Sequence, residues 1–250
     1  SLPPPLPHIV LPRPTQFALP YPRSARARDI GAMPQLSPEL SAVLAEGRRW
    51  EVGMLSSPCR SPCAFCYGAL CPCCFACQQR RELLDLTGEP YVCCGGLCPC
   101  CCLASPQPTS CLCLEACCCV QLAIAGNRYM LQTRFWKQND PCDDCIMTFT
   151  ACLDCVVCLL SITGTPREDL DCIKGCADLV NCVVCACMLT QQQVELDRLK
   201  TEAYSGPSAQ VLDLLPPLQQ QMIGMAKPGG EPQSYGSSAG AFQGDAHKLS

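Results

Sequence analysis

The side chains with the most chemistry to offer are 28 cysteines, all lying between Cys59 and Cys187. Many stand in Cys-x-x-Cys pairs: Cys63/Cys66, Cys71/Cys74, Cys74/Cys77, Cys98/Cys101, Cys142/Cys145, Cys152/Cys155, Cys155/Cys158 and Cys182/Cys185. Two intervening residues let both sulfurs reach one tetrahedral ion, on a knuckle-like turn or across one turn of helix. One such pair says little. Several of them, in a chain whose two histidines are His8 and His247, point to structural zinc held by cysteine alone. The tightest subset, Cys63, Cys66, Cys71 and Cys74, has nearly the layout of a zinc knuckle, and Cys93, Cys94, Cys98 and Cys101 offer a second set. These eight are the candidate metal ligands, with zinc the candidate cofactor.

Other uses of the thiols compete with this reading. The histidines sit near the two ends, so no Cys-His pair, Ser-His-Asp triad or histidine metal site can be assembled in the central region, and a non-enzymatic role is expected. Contiguous cysteines such as Cys93-Cys94 and Cys117-Cys118-Cys119 suit a disulfide framework poorly, because neighbouring side chains diverge. The first residues contain no uninterrupted apolar run, so they are not expected to form a cleaved export signal, and a reducing, cytoplasmic location follows. Cysteine also packs as a small apolar residue. On that reading Cys145, Cys152, Cys155, Cys172, Cys176 and Cys187 occupy core-facing helical positions. S-acylation is the third use, for which "GALCPCCF" and "GLCPCCCL" qualify loosely. The net charge of -4, without a basic block, gives no reason to propose nucleic acid as a partner.

The elements that must position these thiols can be read from proline, glycine and periodicity. Residues 1–57 form a proline-rich arm, extended except for one short helix with Ser37 as N-cap, Pro38 at its first position and Gly47 as its stop. Its apolar side chains could lie along a partner's groove. From Cys59 to about Ser110 the text reads as loops and turns around one helix, "ACQQRRELLDLTG", closed by Gly88. A stretch so poor in periodic apolar residues needs an outside source of folding energy, and a metal–thiolate site supplies one.

Three helices should follow. The first runs from about Ser110 to Gln138, and its end carries Arg128, Arg134 and Lys137 among Tyr129, Phe135 and Trp136. That end suits a headgroup surface, a partner protein or plain solvent. The second starts at Pro141 behind Asp140 and stops at Gly164. The third opens with a capping box at Thr165 to Glu168 and runs to Gly206. A connection this short folds the last two into an antiparallel hairpin. The second helix is about the ~20 residues a membrane span needs, yet Asp154 at its middle would cost roughly 2.5–3.5 kcal/mol there, so a buried bundle helix is expected. From Gly206 onward a proline-, glutamine-, glycine- and serine-rich tail has one docking segment around residues 209–225.

The segments "CCCVQLAIAGNRYMLQTRF", "NDPCDDCIMTFTACLDCVVCLLSI" and "DLVNCVVCACMLTQQQVELD" resemble a group of cysteine-rich plant and algal proteins with the same helical triplet. "YGALCPCCFACQQRRELL" and the Cys93-Cys94, spacer, Cys98-Pro99-Cys100 cluster are distantly similar to the placenta-specific-eight family, which includes plant cadmium-resistance and cell-number-regulator proteins. That resemblance implies a membrane-associated protein linked to metal tolerance or growth.

The sequence therefore predicts a mainly α protein. It has an arm at 1–57, a cysteine-rich helical domain at 58–206 comprising a loop region and a three-helix core with a C-terminal hairpin, and a tail at 207–250. The expected role is a zinc-braced structural subunit whose arms attach it to other proteins of a larger assembly, for instance a cytoskeletal one. Attachment to a membrane surface is the alternative.

Overall fold

The computed structural model describes residues 37–96, 108–164 and 166–226. They form a mainly α fold of ten helices among the described residues. Prolines set several of the starts, because a fixed φ suits the first turn and the missing N–H is no loss there. Thus α1 (Pro38–Leu44), α3 (Pro62–Leu70), α4 (Pro72–Thr87), α7 (Pro141–Ile162) and α10 (Pro217–Gly224) all begin on one. Ser37 caps α1 through a 3.2 Å bond from the Leu40 amide, and Gly88 ends α4 in the left-handed region at φ 69°.

Two expectations are corrected by the helices. Over residues 59–87 the chain is not mainly loop: α2 (Ser57–Arg60), α3 and α4 follow one another, joined at single non-helical residues, Ser61 and Cys71. Proline at each helix start was the signal, here announcing helices rather than turns. The first long helix is two, α5 (Pro108–Cys118) and α6 (Val120–Arg134), bent by 114° at Cys119. The bend lets α5 lie on α4 while α6 enters the core. Helix α8 (Arg167–Leu199) starts directly behind Pro166, and the capping box expected at Thr165 to Glu168 begins on a residue outside the described ones.

The core gathers around α4, α6 and the second half of α8, with Phe75, Leu83, Ile124, Met130, Leu131 and Leu189 buried in one cluster with Trp50 and Met54. A second, smaller cluster joins Leu40 and Leu44 of α1 to Tyr129 and to Val211 and Leu215, the latter two in and just beyond α9 (Ala209–Leu214). Arg48–Arg49 (β1) pairs in parallel with Lys137–Gln138 (β2), tying the first segment to the end of α6.

The cations at the end of α6 face neither solvent nor a headgroup surface. Arg134 meets Glu89 at 2.9 Å, Arg128 meets Asp143 at 3.4 Å and Lys137 meets Glu195 at 2.8 Å, all buried. Arg80 joins Glu115 at 3.6 Å in the same interior. Asp143, in the first turn of α7, is drawn inward and also accepts bonds from the Met54 amide and from Gln191. Buried charges are tolerated only when paired and hydrogen-bonded, and here each has its partner.

Helix α7 leaves the body. None of its long apolar stretch is buried, which overturns the expectation of a buried bundle helix. Gln191 bonds Asp143, and Asn181 bonds Asp154 at 2.7 Å. One number falls as the other rises, so α7 runs antiparallel to α8.

Candidate metal centre

Two groups of thiols converge among the described residues. In the first, Cys71, Cys73 and Cys74 bring their sulfurs within 4.8 Å of one another. The local chain explains this. Cys71 is the non-helical residue at φ -141° that joins α3 to α4, and Cys73 and Cys74 sit in the first turn of α4, so the three sulfurs come from one short segment. A hydrogen bond from Cys74 holds the Cys71 thiol below its ordinary value. The same bond, with desolvation and the neighbouring sulfurs, pushes Cys74 up to about 12. An incoming soft cation would displace the thiol protons.

The second helix partner adds to this. Across from α4, Cys113 of α5 lies 3.6 Å from Cys77, sulfur to sulfur, and burial, then the neighbouring Cys73 sulfur, raises the Cys117 thiol. Burial first, then Cys113, pushes the Cys77 thiol up to about 11. Arg81 points a guanidinium nitrogen at the Cys113 sulfur from 3.5 Å.

In the second group, Cys93 and Cys94 lie with Glu115. Their sulfurs are 3.7 Å apart, on a turn where Cys94 and Gly95 both have positive φ. Glu115 is heavily engaged already: it accepts from the Tyr91 hydroxyl at 2.7 Å and the Cys94 amide at 2.9 Å, besides pairing with Arg80. Burial, then the bond to Glu115, raises the Tyr91 phenol far above its usual range. The group reads as a structural lock on the turn, with less freedom to take an ion than the first.

Of the eight residues singled out in the sequence, Cys71 and Cys74 come together in one group and Cys93 and Cys94 in the other. Cys63 and Cys66 are exposed on α3 and belong to neither group. Cys98 and Cys101 lie outside the described residues. Sequence reasoning missed Cys73 and Glu115 as members of these groups, and the contact of Cys77 with Cys113. The signal was present as Cys-x-x-x-Cys, since residues four apart share a helix face. It was passed over for the Cys-x-x-Cys pairs.

Comparison with family models, with curated proteins and with solved structures returns no match. The site must be judged on its own geometry.

That geometry separates the thiols by helix. On α7 and the first half of α8, Cys145, Cys152, Cys155, Cys158, Cys172 and Cys176 are exposed. The expectation that five of these face a core is therefore corrected, and among the six packing candidates Cys187 alone is buried. The half-buried positions of α7 are instead Ile146, Met147, Thr150, Leu153, Val157 and Leu160, a face at helical period that leaves the cysteines on the other sides.

Proposed function

We propose that this chain is a non-enzymatic structural module braced by zinc, or a similarly soft cation, bound to cysteine thiolates. The observation that carries the reading is the convergence of Cys71, Cys73 and Cys74 at the start of α4. Three thiolates of one short segment supply three of the four donors that structural zinc takes, and a site of this kind contributes folding energy directly. The three sulfurs sit where α3 meets α4, and Cys63 and Cys66 on α3 are exposed.

The test is native mass spectrometry of the reduced protein with and without a chelator, alongside a thermal melt. Bound metal and a melting temperature that falls on chelation are expected. A Cys71→Ser/Cys74→Ser variant should lose metal and melt like the chelated protein. Protein that carries no metal after zinc loading, or melts unchanged after chelation, would overturn the proposal.

A second observation favours membrane attachment. Phe149, Val156, Leu159 and Ile162 of α7 and Leu179 and Val183 of α8 are exposed large apolar residues on adjacent antiparallel helices, and both helices are long and apolar enough to cross a bilayer. Asp154, the obstacle, has a polar partner in Asn181. Flotation with phosphatidylcholine vesicles checks this reading: retention of the protein with the vesicles supports it, and protein left in the aqueous fraction refutes it. The expected lacing of arms onto a larger assembly concerns mostly residues 1–36 and 227–250, outside the described residues.

A further inference from the structure

The metal-braced reading leaves Cys77 and Cys113 unused. Cys77 lies on α4 and Cys113 on α5, 36 residues apart in the chain, with their sulfurs 3.6 Å from each other. This pair differs from the other close sulfurs. Cys71, Cys73 and Cys74 belong to one short segment, and Cys93 and Cys94 are neighbours in the chain, so a bond within either set would fasten little beyond its own turn. A bond between Cys77 and Cys113 would fix one helix to another.

We propose that Cys77 and Cys113 are a redox pair that closes reversibly into a disulfide between α4 and α5 on reaction with hydrogen peroxide. The two sulfurs play different parts. Cys113 is exposed and Cys77 buried, and the Arg81 guanidinium reaches the Cys113 sulfur at 3.5 Å. An accessible sulfur beside a cation is the setting in which cysteines react. Cys113 therefore meets the oxidant, and Cys77, behind it, resolves the product. In the first step the Cys113 thiolate attacks one peroxide oxygen, the O–O bond breaks, and hydroxide leaves, taking up the thiol's proton as water; the sulfur is then a sulfenic acid. In the second the Cys77 sulfur attacks the Cys113 sulfur, the S–O bond breaks, and the Cys77 proton leaves with the hydroxyl as water. Two thiols and one peroxide give one disulfide and two waters. A small dithiol reverses the bond by exchange and ends as a disulfide itself.

The spacing agrees. Bringing the sulfurs from 3.6 Å to the ~2.05 Å of a disulfide is a closure of about 1.5 Å, the scale of side-chain rotation rather than of helix movement. Helix α5 also gains from a fastening, since Leu112, Glu115 and Ala116 are its buried residues while Cys113, Leu114, Cys117 and Cys118 are exposed. Oxidation would hold α5 on α4, and reduction would release it.

The experiment treats the full, reduced chain with one equivalent of hydrogen peroxide, blocks the remaining thiols with iodoacetamide and maps disulfides by peptide mass spectrometry, once with zinc and once with a chelator. A Cys77–Cys113 cross-link should accumulate first under both conditions, and dithiothreitol should remove it. Cys77→Ser should leave Cys113 as a sulfenic acid that dimedone traps, and Cys113→Ser should leave Cys77 unmodified, with helicity checked for each variant. Peroxide that joins other cysteines first, or that leaves Cys77 and Cys113 of the parent as thiols, overturns the redox pair. A Cys77→Ser protein whose Cys113 stays untouched overturns it as well. The metal-braced reading is independent of this result, because it stands or falls on the metal count.

Discussion

The body of the molecule hides charge, whereas the α7–α8 projection shows apolar surface, an inversion of the usual arrangement. Inside, Arg80, Arg128, Arg134 and Lys137 are among the largest fully buried side chains. Outside, Ile162 is 77% and Leu179 67% exposed. The thiols follow the same division. Where α4 and α5 face each other, Cys77 meets the Cys113 sulfur at 3.6 Å; on α7 and the first half of α8, the cysteines look outward. Spacing along one helix brings sulfurs to one side, and a second helix in register is needed to close a site.

The body half of the comparison breaks most readily at a buried charge. Arg134→Met leaves the Glu89 carboxylate, fully buried, without its cation, and removing one partner of such a pair costs about 3–5 kcal/mol. Urea unfolding should show that loss. A variant as stable as the parent would mean that the interior charges are not structural.

A smaller effect should appear with acid. Burial alone would raise the Glu195 carboxyl, but hydrogen bonds from Lys137, Arg198 and the Glu51 amide outweigh it and hold the group below its ordinary 4.5. A depressed carboxylate binds fewer protons folded than unfolded. Its stabilisation is therefore complete above the ordinary value and is lost as pH falls through the lower, folded one. Glu195→Gln should be less stable than the parent at neutral pH, and the gap should narrow through the acidic range. A gap independent of pH would contradict this electrostatic account.

The projection should answer in the opposite way. Leu159→Ser/Ile162→Ser alters residues 61% and 77% exposed, so each change should stay within about 0.5 kcal/mol for folding, while retention on phosphatidylcholine vesicles falls. A large loss of stability with unchanged vesicle binding would place these residues in the fold after all.

Much of this was legible in the sequence. Ser37-Pro38, Gly88 and Asp140-Pro141 marked true helix ends because capping and proline effects are local. Cys71, Cys74, Cys93 and Cys94 were found because they are close in sequence. What could not be read depended on distant partners. The inward turn of Arg134 is set by Glu89, 45 residues away, and nothing in "TRFWKQ" distinguishes a buried cation from a solvated one. The bend at Cys119 arises because Glu115 is held by Tyr91, Cys94 and Arg80 while α6 packs on α4 and α8. The outward face of α7 was misread because an apolar helix ordinarily signals burial.

The claim that ties these regions together is that the thiols at the start of α4 hold metal and the α7–α8 thiols do not. Thiol alkylation of the native, reduced protein with and without zinc, mapped residue by residue by mass spectrometry, tests it most directly. Zinc should shield Cys71, Cys73 and Cys74 while Cys152, Cys155, Cys172 and Cys176 stay as reactive as before. Shielding of the α7–α8 cysteines with the α4 thiols left reactive would contradict the account.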